Sequence, residues 1–240
     1  MKKENSGRNN TINYKYRFSF AGGKESVLNI RLDKNTLTLI PDQREAYPEW
    51  TRLEYYRCPN CSLDESKVKY CPSAVNTVEL IDMFKDSLSF EEVDILVETE
   101  TRSYSKHTSL QVGLSSVLGL FMVTSGCPVT EKLKSMAYNH LPFATSEETM
   151  YRVISAHLLA QYFLRKKGKT PDWELKELIK TYDDIHVINM NFFKRISNIK
   201  IEDASLNAIA ILDTFANLVP FSIDEEMLGE IEQMFDAYLK

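Results

Sequence analysis

The chain has 240 residues, 43% of them hydrophobic, with 29 basic and 34 acidic residues interspersed to a formal net charge of -5. That is enough apolar material for a sizeable core in one large domain or two small ones, and the mixed charge disfavours whole-protein affinity for a nucleic acid backbone or for acidic substrates. The basic, polar start MKKENSGRNN lacks the apolar stretch of a secretory leader, and the most apolar window, Val112 to Gly126, falls short of the ~18 apolar residues of a spanning helix.

Residues 1–12 read as a disordered tail. From Tyr14 to Phe20 and from Ser26 to Asp33, apolar and polar residues alternate with period two, the mark of half-buried strands, and AGGKE between them suits a hairpin. Asp33, Lys34 and Asn35 supply turn chemistry before TLTLI at 36–40, which predicts a third strand of a meander. Asn76 and Glu79 fit a capping box opening a helix through VELIDMF. VDILVETETRSYSKHT then alternates as one long strand, with Val93, Ile95, Val97, Thr99 and Thr101 on one face.

After Leu110 the period becomes helical. Thr145 and Glu148 form a capping box for a helix ending at Gly168, Thr170 and Pro171 are expected to start the next, and Ser222 with Glu225 the last. ASLNAIAILDTFANLV is apolar nearly all round, which predicts a central helix. The fold class is therefore α+β: a mostly antiparallel amino-terminal sheet of about four strands with one helix and a Cys-bearing loop over 13–110, then an α-helical carboxyl half over 111–240 sharing the sheet's core.

Four cysteines carry the chemistry. CPNC places Cys58 and Cys61 at the spacing by which one tight turn presents two sulfurs to a tetrahedral ion, and Cys71 follows a short charged loop. Cys127 supplies the fourth ligand, with His107 and His140 as alternatives, so zinc is the expected metal. An iron-sulfur cluster is the minor alternative, because the spacing departs from ferredoxin runs. Cys127 also has a second reading. With Pro128 at a first helical position, it would sit at a helix amino end as an activated thiolate and catalytic candidate. If residues 129–139 are helical, His140 lies roughly 16 Å away and is a poor base for it.

The remaining constellations have plainer explanations. Asp183 and His186 have the spacing of half a dinuclear site, but they sit in a packing helix, and His157 reads as a hydrogen-bonded core residue. RKKGK at 165–169 suits the basic last turn of a helix. In NHLPFATSEET, the segment is a helix connector stapled by Phe143 or Ala144, or a site in which His140 faces a pocket. The chain lacks a phosphate loop, a nucleotide fingerprint and a serine elbow.

The segments WTRLEYYRCPNC, YCPSA, LSSVLGL, TSGCP, HLPFATSEETMYR and LLAQYF together resemble an uncharacterised bacterial family, a domain of unknown function, from about Tyr14 to the carboxyl end. The resemblance implies a bacterial origin and one folding unit, and it implies no activity. The expected function is a cytosolic regulatory or adaptor protein with a structural zinc, binding a protein partner or a small-molecule signal. The alternative is a thiol-dependent enzyme or redox sensor centred on Cys127, with His107 or His140 nearby.

Overall fold

A computed structural model describes residues 10–41, 44–223 and 226–240. The chain begins with a hairpin of β1 (Thr11–Phe20) and β2 (Glu25–Asp33), so Thr11 and Ile12, expected in the tail, are already strand; residues 1–9 lie outside the described residues. Gly22 and Gly23 take φ of +90° and +84°, the left-handed conformation that glycine adopts without Cβ strain, and they let Phe20 N–H bond to the Lys24 carbonyl across the turn.

The third strand expected at TLTLI does not form. The Asp33 carboxylate accepts from the N–H groups of Asn35 and Thr36, and Leu37 turns left-handed at φ +53°, so only Leu39 bridges back to Leu32. The long strand expected from Val93 is instead a hairpin of β3 (Glu92–Glu98) and β4 (Ser103–Ser109). Its turn is made by Thr99, whose hydroxyl accepts from the N–H groups of Thr101 and Arg102. The four strands form an antiparallel sheet of order β2-β1-β3-β4, and one face, from Tyr14, Tyr16 and Phe18 to Val93, Ile95 and Val97, is wholly buried. Burial of a side chain such as Phe18 contributes about 1.5–3 kcal/mol.

Helices cover that face. α1 (Pro72–Phe84) starts at Pro72 rather than at Asn76, because proline takes the first helical position; the Asn76 amide donates to the Phe121 carbonyl instead of capping. α2 (Leu110–Val123) follows β4 directly, and Gly113 lies flush against the sheet, where a Cβ would run into Ile95 and Phe18. The helix expected over 129–139 is broken into a 3-10 turn at Thr130–Leu133 and the single turn α3 (Ser135–Tyr138), with the Thr130 hydroxyl anchored on the Met122 carbonyl.

The long helices are α4 (Ser146–Lys166), α5 (Lys176–Ser197) and α6 (Ala204–Ser222), followed by the short α7 (Glu226–Gln233) and α8 (Asp236–Leu239). α4 has the expected Thr145 and Glu148 capping box and basic last turn, and Gly168 stands at φ +73° just beyond it. α5 starts later than Thr170 and Pro171 suggest, because the Asp172 carboxylate accepts from Lys176 and Glu177 N–H and sets its first turn. Ser222 closes α6 rather than opening a helix, and Glu225 lies outside the described residues.

α6 packs on α2 and α5 but leaves Ile211, Leu218 and Phe221 exposed, so it is less enclosed than its composition suggests. By length and composition alone its Ala204–Phe221 stretch would span a membrane, and a third of that stretch is buried in the fold. The sheet's core continues through α1 and α2 to Phe192, Ile196, Ala204 and Ala208, while a second cluster joins α4, α5 and α6.

Candidate functional site

Cys58, Cys61, Cys71 and Cys127 all line one small cleft of about 20 Å³, although they arrive from three segments. The CPNC turn closes when Cys61 N–H bonds to the Cys58 carbonyl. Asn60 inside that turn donates to the backbone and side-chain oxygens of Asp184, pinning it to α5. The Cys loop is returned by an antiparallel bridge between Arg52 and Tyr70, which delivers Cys71 to the start of α1. Cys127 follows α2 after Gly126, whose φ of +86° permits the turn.

One serine pair ties the last two segments together. The Ser125 hydroxyl donates to the Met122 carbonyl, so its oxygen is left to accept from the Ser73 hydroxyl at 3.1 Å and from the Cys127 N–H at 3.1 Å. Ser73 stands two residues after Cys71 and Ser125 two before Cys127, so this contact holds both sulfurs at one place.

Arg195 of α5 closes the cleft from below. It is 2% exposed, donates to the carbonyls of Trp50, Arg52 and Tyr56, and makes no ion pair among the described residues. Burial lowers its pKa, and the neighbouring sulfurs of Cys71 and Cys58 oppose that shift. Burial also pushes the Cys58 thiol up to about 12, with Cys71 and Cys127 adding to the rise and Arg195 opposing it. Cys71 moves up for the same first reason, against Arg195 and the first-turn N–H groups of Ala74 and Ser73.

The donor set fits a tetrahedral thiolate ion: four sulfurs, room for about one water-sized sphere, and a buried cation to offset the charge. Among the described residues, no three His, Cys, Asp or Glu side chains stand as a ready coordination shell. Binding an ion would therefore require the sulfurs to turn inward.

A second cavity, of about 490 Å³, lies among α2, α4, α5 and α6 and is mostly apolar, with Leu120, Met122, Ile185 and Phe215 in its wall. His140 stands at its sheet end, where its Nε2 meets the Tyr16 hydroxyl at 2.6 Å; that hydroxyl is also 3.0 Å from Ser116 Oγ. The imidazole is half-buried, and this desolvation, reinforced by the charge of Arg152, holds its pKa down to about 3.

The expected alternatives to the cysteines are therefore elsewhere. His140 lines the second cavity, whereas Cys127 lines the first. His107 is on β4, paired with Asp94 at 2.8 Å and Glu92 at 3.5 Å. His186 pairs with Asp213 of α6 rather than joining Asp183 at a metal, and His157 bonds to Asp172 as a packed histidine does. Phe143, one of the two residues expected to staple the next helix, is partly buried against the core. Arg195 was missed by the sequence reading, yet a signal existed: it falls seven residues after Ile188 and three after Phe192, an apolar-stripe position occupied by a charge. Arg152 and Ser116 carried no such mark.

A family model, described as a domain of unknown function (DUF6901), matches residues 14–236, and the chain belongs to that family. No curated protein and no solved structure matches it.

Proposed function

We propose, from the site rather than from the family, that this is a regulatory or adaptor protein of a reducing compartment in which Cys58, Cys61, Cys71 and Cys127 hold a structural zinc ion. Its remaining surfaces and its larger cavity serve to bind a protein partner or a small signal. The observation that carries the reading is that four cysteines from three segments line one cleft. When bound, a four-thiolate zinc contributes folding free energy and no redox chemistry. Arg195 would offset the negative charge of the thiolates, and Asn60 would keep the CPNC turn seated on α5. A cleft of about 20 Å³ suits a single ion better than an iron-sulfur cluster.

Thiol catalysis at Cys127 is less well supported, since Cys127 lines the same cleft as the other three cysteines while His140 lines a different cavity. Metal analysis of the purified protein tests the reading. One equivalent of zinc is expected, and Cys58→Ser should lose it together with about 4 kcal/mol or more of stability. A metal-free protein, or a Cys58→Ser variant that keeps both metal and stability, overturns it. The same preparations report on thiol chemistry, because a Cys127 that alkylates like a free thiol of pKa ~8.5 is not an activated nucleophile.

A further inference from the structure

The larger cavity contains polar groups that the fold leaves without partners. Asn189 is 2% exposed and Tyr182 is 3% exposed, and both line the cavity. Among the described residues, neither the Asn189 amide nor the Tyr182 hydroxyl has a hydrogen-bond partner. Both residues open onto the cavity, so an occupant can supply the missing hydrogen bonds. They are seven residues apart on α5, close to two turns, so they look from one face at points roughly 10 Å apart.

Arg152 is the third such group. Its Nη2 donates to the carbonyls of Met136 at 3.0 Å and Asn139 at 2.6 Å, while Nε and Nη1 have no hydrogen-bond partner among the described residues. Arg152 lines the cavity and makes no ion pair with any described carboxylate; Glu148, the acid that acts on it electrostatically, is not part of the cavity wall. Arg152 and Tyr182 are near enough to act on each other electrostatically. Among the described residues no Asp or Glu lines the cavity, and Lys106 stands exposed at its edge.

Apolar walls, unmet donors and a positive charge with no acid in the cavity wall together define a ligand chemistry. At about 490 Å³, the cavity falls within the range of small-molecule sites. We propose that it binds a small organic monoanion with an apolar body, its carboxylate received by Arg152 and the Tyr182 hydroxyl and a second hydrogen-bonding group on the body met by Asn189. A cation would face Arg152 with no acid in the cavity wall to hold it, and a purely neutral ligand would bring no charge to the free side of the guanidinium. His140, kept neutral by burial, adds no charge of its own at the sheet end.

This takes up the small-signal half of the reading above and does not depend on the metal; metal content and ligand binding are measured separately, so either can fail alone. The test is titration calorimetry of the full chain with decanoate, 1-decanol and protonated decylamine. Decanoate should bind most tightly, and Arg152→Gln should weaken it about tenfold or more while leaving decanol unchanged. Arg152→Lys, which keeps the charge, should retain most of the decanoate affinity and serves as the folding control, checked by circular dichroism. Equal affinity for all three ligands, no binding of decanoate, or a folded Arg152→Gln that binds decanoate like the parent overturns the proposal.

Discussion

Arg195 and Arg152 both come from the helical half, both lie partly or wholly inside it, and neither has a carboxylate partner among the described residues, yet the fold treats them differently. Arg195 spends its donors on three backbone carbonyls and faces sulfurs, with an apolar shell of Leu53, Ile188 and Phe192 around the same cleft. Arg152 uses one nitrogen on two carbonyls and turns the rest of its guanidinium toward a cavity more than twenty times larger. A buried arginine with both terminal nitrogens engaged on backbone carbonyls is a fixture of the fold; one that leaves a terminal nitrogen free is available to something that is not part of the chain.

The contrast breaks most visibly at Arg195. Arg195→Met removes the charge and strands the carbonyls of Trp50, Arg52 and Tyr56, so urea denaturation should show a loss of about 3 kcal/mol or more. A loss below about 1 kcal/mol would mean that water reaches those carbonyls and that the cleft is no tighter than the cavity.

A smaller effect asks how dry the cavity's sheet end is. Folded His140 stays neutral down to about 3, whereas in the unfolded chain it takes a proton near 6.5. Between those values the unfolded state binds more protons, so stability is complete above the higher pH and falls as acid is added, by up to about 1.4 kcal/mol per pH unit. Urea unfolding at pH 7 and pH 5 should show that slope in the parent and a shallower one in His140→Gln. Equal slopes would place water on the imidazole.

The smallest change belongs to Arg152→Met. Its two carbonyl partners belong to a connector with exposed neighbours, so stability should fall by only about 1 kcal/mol, and thermal melting compared with Arg195→Met measures the gap directly. Comparable losses in the two variants would erase the distinction.

Local rules served well where a single interaction decides the backbone. The glycine hairpin, the Asp33 turn and the Thr145 and Glu148 box all stand where their residues suggest. They failed where a longer-range choice intervened. Thr99 turns a chain whose alternation continues unbroken through the turn, and Asp172 starts a helix that Thr170 and Pro171 seemed placed to start. The cysteine cleft was legible as three sulfurs and a distant fourth, because spacing encodes a local turn; the serine contact that brings Cys127 to Cys71 is tertiary and left no pattern. Of the larger cavity only His140 facing a pocket was legible, since the space is defined by what the helices and the connector before α4 fail to fill.

Gly113 bears on that empty space without lining it. Because it has no side chain, α2 rests directly on Ile95 and Phe18, while Ser115, Ser116 and Gly119 on another flank of the same helix form a wall of the cavity. Gly113 therefore works like a missing shim. A single methyl inserted there would tilt the helix off its seat, costing about 1–3 kcal/mol of overpacking, and would reshape a chamber that the residue never touches.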